Sequence, residues 1–233
     1  VGLQFILVLC LASVFCLAPL SVYLLWIARI TRRKRPLVVA GDWDFVGLIC
    51  GLSGFILFGG GLVLSLLQTN FRYWMRGNFD GLRRAWQQEY VTWILLASAY
   101  LVFVSGLTTL TLQSRRRSLV IYNIEPAAFE AMLAEVFEHL NVTVERRGDV
   151  WYASGPLFEL DRFARGRTVT LRWLSDDRQL FQSVDRLLRE AVRSHFSDEN
   201  PATDWIFAAA VGAGAAAVLF FGLLVYVLRP FPH

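Results

Sequence analysis

Three histidines, three cysteines and one spaced carboxylate pair are the residues of this 233-residue chain whose types could carry chemistry. His139 and His195 each fall near the end of an expected helix, where a partly protonated imidazole suits the helix dipole, and His233 lies in the tail. A thiol nucleophile or a Cys/His zinc site needs both residue types together. Here Cys10, Cys16 and Cys50 all sit inside long apolar runs, and no C-x-x-C pair occurs. They read as small apolar packing residues. Ser154-Gly155-Pro156 is turn chemistry, because a nucleophile elbow needs glycine on both sides of the serine. Neither a P-loop nor a G-x-G-x-x-G is present. Glu159 and Asp161 would project from one face of a strand as a carboxylate pair suited to acid–base work. With Arg162, Arg165 and Arg167 nearby, a solvated and salt-bridged face is the simpler expectation. No catalytic, metal or cofactor-binding residue is assigned, and no cofactor is expected.

The elements that would position such groups are dominated by apolar sequence. Hydrophobic residues make up 55% and charged residues 18% of the chain, with a mean hydropathy of +0.46. A soluble domain runs nearer about 45–50% and about 25%. The excess falls in four blocks, residues 3–28, 45–67, 91–112 and 205–228, and none of the four contains Asp, Glu, Lys, Arg or His. Each reaches the roughly 20 residues needed to cross about 30 Å of hydrocarbon. The first block has an uncharged start and a run too long for a cleaved signal, so it reads as a retained anchor.

The expected fold class is a multi-pass α-helical membrane protein. It has four transmembrane helices and a small inserted α+β two-layer domain with a mostly antiparallel sheet and two helices. Transmembrane helix 1 is placed at 1–28, helix 2 at 45–67, helix 3 at 91–112 and helix 4 at 205–228. A basic cytoplasmic loop fills 29–44, an external amphipathic loop 68–90, the cytoplasmic α+β domain 113–204 and an external tail 229–233.

Charge supplies the orientation. Residues 118–203 hold 10 Arg against 14 Asp or Glu, a balance of −4, which leaves +8 for the remainder of a chain whose net charge is +4. The surplus sits at helix ends, as Arg32, Arg33, Lys34 and Arg35 after the first block and Arg115, Arg116 and Arg117 after the third. Loops rich in Lys and Arg stay cytoplasmic, so these residues read as membrane-surface anchors that touch anionic headgroups. Both termini are then external, in a bacterial cytoplasmic membrane. Trp26, Trp43, Trp74, Trp86, Trp93 and Trp205 lie near block ends, where amphipathic rings collect.

Small residues mark the expected helix-packing faces. These are Gly47 and Gly51 in block two, and Ala208, Gly212 and Ala216, which recur every four residues in block four. In the outer loop Met75, Phe79, Leu82, Trp86 and Tyr90 share one helical face, with Asn78 as cap, and describe a short amphipathic helix in the outer interface. No ionisable residue lies within any block, which disfavours an ion-coupled transporter or pump.

The inserted domain reads as strand 119–122, helix from Pro126, a hairpin of 142–144 with 150–153 about Arg147-Gly148-Asp149, a second pair of strands near 158–160 and 169–173, and a final helix capped by Ser175. In general shape it resembles ferredoxin-like modules, although two hairpins separate its helices where that fold has one. Its net acidity disfavours nucleic acid. The expected function is a non-catalytic membrane subunit or scaffold whose cytoplasmic domain docks a protein partner, with membrane lipids around it. The alternative is a membrane-tethered sensor that binds a small ligand, and a transporter or channel component ranks below both.

Overall fold

The computed structural model describes residues 3–67, 78–197 and 200–229. Four long helices carry the apolar blocks: α1 (Leu3–Thr31), α2 (Gly41–Leu67), α3 (Phe79–Arg115) and α6 (Thr203–Leu228). Each contains a segment long and apolar enough to cross a membrane, and the protein is an integral membrane protein of the multi-pass class. Their large side chains point outward: Val102, Phe103, Val218 and Leu219 are among the most exposed large apolar residues. A soluble protein could not carry that surface, whereas hydrocarbon is a good solvent for it.

α3 is longer than its apolar block because the amphipathic stretch before it continues the same helix. Asn78 caps that helix, its side-chain oxygen accepting from the Gly81 N–H at 2.9 Å. The two segments join at Glu89, whose backbone (φ −121°, ψ 22°) leaves the helical region.

Two structural units are distinguishable. The first holds residues 1–24, 48–110 and 208–233. Its helices meet at small residues. A Cβ on Gly54 would lie 2.1 Å from the Phe15 carbonyl oxygen, and one on Gly51 would lie 2.7 Å from the Tyr23 Cβ, so α1 and α2 cross where glycine removes the obstacle. Tyr100 of α3 occupies the equivalent space at Gly60 and donates its hydroxyl to the Ile56 carbonyl at 2.6 Å.

The second unit, residues 25–47 and 111–207, is an α+β domain. Its six strands are β1 (Leu37–Ala40), β2 (Ser118–Tyr122), β3 (Glu145–Arg147), β4 (Val150–Tyr152), β5 (Pro156–Phe163) and β6 (Thr168–Trp173). They form one antiparallel sheet in the order β1-β2-β6-β5-β4-β3. Helices α4 (Pro126–His139) and α5 (Arg178–Ser194) pack on one face. Strand alternation sends Leu119, Ile121, Phe158, Leu160, Val169, Leu171 and Trp173 to that face. There Phe129, Leu133 and Phe137 of α4 and Val184, Leu188 and Val192 of α5 complete the core. At its centre Phe158 is fully buried in a stack of rings, 5.5 Å from Phe137, 5.6 Å from Trp151 and 6.1 Å from Trp173.

Four details depart from the sequence reading. β1 was absorbed there into the basic loop at 29–44, yet Leu37–Ala40 pairs in full with Leu119–Tyr122. The strand expected at 142–144 lies at Glu145–Arg147 instead. The loop between β3 and β4 is the two residues Gly148-Asp149, with Gly148 at φ +68°, and this pairs Arg147 with Val150 and fixes the register. Val142 and Val144 then serve the core from outside the strand. β4 also pairs with β5, through a bulge at Trp151/Tyr152, so the expected separate hairpins are one continuous meander from β3 to β6. Finally, the cap of α5 is Asp177, which accepts from Leu180 N–H at 2.9 Å, while Ser175 forms the turn before it. Asp and Ser cap equally well, and the residue that reaches the third helical N–H takes the role.

Candidate functional site

The face of the sheet away from α4 and α5 is polar. Register places Ser118 opposite Arg172, Val120 opposite Thr170, Arg172 opposite Glu159 and Thr170 opposite Asp161. Ser118, Glu159, Asp161, Thr170 and Arg172, with Arg115 and Ser114 at the end of α3, line an open cleft of about 430 Å³. Glu159 and Asp161 do project from one face, as their spacing requires. The arginine beside them is Arg172, at 3.9 Å from Glu159, and Arg162 turns to the other face of the strand. There Arg162 reaches Glu130 of α4 at 3.0 Å and Asp149 at 3.5 Å, and Glu130 also takes Arg146 at 2.8 Å. That network ties α4 to β3 and β5 and serves the fold. Such a cleft can hold a small polar molecule through mixed-charge contacts.

A second groove of about 630 Å³ runs between α4 and α5 on the helical side. His139 and His195 both line it, with Glu135 and Glu190 on the same walls. Sequence spacing gave no sign that the two histidines meet in one groove. Among the described residues no group of three or more His, Cys, Asp or Glu is placed to hold a metal ion. Cys10 is buried, Cys16 half-buried and Cys50 exposed, all three as free thiols inside α1 and α2.

The basic residues have individual partners. Arg32 lies over the Phe207 ring at 5.3 Å, Arg35 over Phe196 at 5.3 Å, and Arg115 over Phe45 at 5.4 Å. Arg117 pairs with Asp176 at 2.7 Å. The carbonyl oxygen of Arg33 accepts from the Asn123 side chain and that of Lys34 from the Ser197 N–H, which fixes the loop between α1 and β1. Arg116 is exposed.

Of the small-residue candidates, Gly51 packs against Tyr23, and Gly47 is half-buried. The stripe on α6 divides. Ala210, Gly214 and Ala217 form the inward face, where Ser21 of α1 donates to the Ala210 carbonyl and a Cβ on Gly214 would lie 2.8 Å from the Ser21 oxygen. Ala208 and Gly212 are exposed and Ala216 is half-buried, about 160° around the helix from Ala210 in the case of Ala208 by the 3.6-residue turn. On the outer face Met75 lies outside the described residues, as do the side chains of Phe79, Leu82 and Trp86. Tyr90 is exposed on α3.

The chain matches no family model, no curated protein and no solved structure.

Proposed function

We propose that the protein is a non-catalytic membrane subunit or scaffold, its four helices completed by other membrane chains and its α+β domain turned to a protein partner. The observation that carries this reading is the placement of glycine. At Gly59, Gly106, Gly212 and Gly222 no described atom lies within 4 Å of where a Cβ would sit. Helix-interior glycine costs about 1 kcal/mol against alanine in water, and in lipid small residues repay their place by letting a second backbone approach. At most 17% of the residues in any of the four apolar segments are buried, so much helix surface remains for such neighbours.

Orientation belongs to the same proposal: residues 29–44 and 113–204 are cytoplasmic and both termini external, in a bacterial cytoplasmic membrane. The pairing of β1 with β2 supports one part of it independently of charge, that the two segments share a side. One strand precedes α2 and the other follows α3, and they share a side only if the chain crosses an even number of times between them.

Native mass spectrometry of the protein extracted in mild detergent tests the subunit reading. A stoichiometric second chain is expected, and Gly212→Leu should release it while leaving the thermal midpoint unchanged. A lone chain that retains its fold under the mildest extraction would overturn it. The second reading, a membrane-tethered sensor, draws on the polar cleft lined by Glu159, Asp161, Thr170 and Arg172. It expects a small zwitterionic or polar ligand to raise the thermal midpoint, and Arg172→Ala to abolish that rise.

A further inference from the structure

The end of α1 and the first turn of α6 enclose a pocket of about 190 Å³, lined by Thr31, Arg32, Arg33 and Lys34 on one side and Asn200, Thr203 and Asp204 on the other. On its α1 wall the Ala28 and Ile30 carbonyls are taken up within the chain. The Thr31 hydroxyl donates to the Ile27 and Ala28 carbonyls, and the Arg32 and Arg33 amides donate to Ala28 and Ile30. None of Arg32, Arg33 and Lys34 forms an ion pair with a described residue. Arg32 is oriented by the Phe207 ring, and the backbone of Arg33 and Lys34 is held as described above.

The α6 wall is a helix N-terminus, whose orphan N–H groups and dipole favour an anion. Asn200 shapes it: its side chain donates to the Gly166 carbonyl at 2.8 Å and accepts from the Ala202 N–H at 3.0 Å, while its own carbonyl takes the Thr203 N–H. The first intrahelical bond, Ile206 N–H to Ala202 carbonyl, comes after Asp204 and Trp205. Thr203 is only 6% exposed, yet its hydroxyl oxygen has no hydrogen-bond partner among the described residues. A buried hydroxyl without a partner costs about 1–3 kcal/mol unless something in the pocket receives it. One carboxylate, Asp204, opposes three cations in the lining. Asp198 and Glu199, next to Asn200 in sequence, lie outside the described residues.

We infer that this pocket binds a phosphate group, with Arg32, Arg33 and Lys34 supplying positive charge, the head of α6 its dipole, and the Thr203 hydroxyl a donated hydrogen bond. No bond is made or broken. The phosphate can come from an anionic lipid headgroup, which the position directly beyond a spanning helix favours, or from a soluble phosphate compound.

The test uses the full chain in neutral detergent, titrated separately with short-chain phosphatidylglycerol and with inorganic phosphate, and read by native mass spectrometry and thermal shift. Binding of the lipid alone assigns the headgroup, and binding of inorganic phosphate in competition with it assigns a soluble source. Either result supports the phosphate site, and binding of neither overturns it. Thr203→Val should weaken binding roughly tenfold, Thr203→Ser should restore it, and Arg33→Ala with Lys34→Ala should weaken it at least as much. Arg186→Ala, an exposed arginine on α5 outside the pocket, should change nothing. Equal losses from Arg186→Ala and Thr203→Val would reduce the effect to unspecific charge and sink the site. So would full binding by Thr203→Val.

Discussion

The Ser21 hydroxyl donates to the Ala210 carbonyl oxygen at 2.8 Å, tying α1 to α6 across almost the whole length of the chain. Ser21 is buried, so the bond has no water to replace it. Hydrogen bonds between membrane helices average near 0.6 kcal/mol and rarely exceed about 1.7. Ser21→Ala should therefore lower stability in detergent by about 0.5–1.5 kcal/mol, measured by unfolding in mixed micelles. Gly214→Val should cost more, because its side chain would collide with Ser21.

Gly54 and Gly106 make a matched pair. A Cβ at Gly54 meets the backbone of Phe15 and Cys16, which cannot swing aside, whereas one at Gly106 meets no described atom. Gly54→Ala should separate α1 from α2 and lower the thermal midpoint clearly, at a cost of roughly 1–3 kcal/mol for overpacking. Gly106→Ala should hold the midpoint within experimental error. Equal effects would mean that the α1–α2 crossing is misplaced.

Phe158 has no exposed surface and stacks on three other rings. Phe158→Ala removes the stacking and leaves a cavity, costing about 3–5 kcal/mol. Loss of near-ultraviolet circular dichroism from the tryptophans, with the helical signal of the spanning segments retained, is the expected signature.

Amide exchange should find Leu37–Ala40 protected together with Ser118–Tyr122, since the two strands share one ladder. Lys34 and Arg35, outside the strand, should exchange faster. A Leu37–Ala40 segment as labile as Lys34 and Arg35 would remove β1 from the sheet.

The Asp176 carboxyl is held below its ordinary value, first by the hydrogen bond from Arg117 and then by the attraction of the same guanidinium. A depressed folded-state value contributes stability that is present above the ordinary carboxylate range and lost as pH falls through the lowered one. Because the aspartate is fully exposed, the effect is small and screened by salt. Arg117→Ala should return the Asp176 titration upward, followed by carboxyl carbon NMR, and 1 M salt should shrink the difference.

Length and absence of charge made the four apolar helices legible, because a bilayer permits few other uses of such blocks. The amphipathic period of Phe129, Leu133, Val136 and Phe137 likewise announced α4. β1 escaped because its four residues follow a run of basic side chains that explained the loop well enough. Its local signal, Val38-Val39 between Pro36 and Gly41, was present but short. The meander was hidden for a different reason: whether β4 joins β5 is decided by pairing across a turn, which periodicity within one strand does not report. The Ala208–Gly212–Ala216 repeat was visible as a stripe, but which face of α6 meets α1 depends on Ser21, a single polar residue in another helix. The convergence of Arg32, Arg33 and Lys34 with Thr203 has no sequence signature, since the whole chain between α1 and α6 separates them.

The sheet has a consequence for how the chain is made. β1 leaves the ribosome before α2, and its partner β2 only after α3. Until then β1 is an unmatched edge of four apolar residues beside the nascent chain's basic segment. Closing the ladder requires α2 and α3 to have been delivered as a hairpin that returns to the starting side. A chain in which one of them fails to insert would strand β1 and β2 in different compartments. The completed ladder is thus a structural record that the chain crossed an even number of times between its two strands.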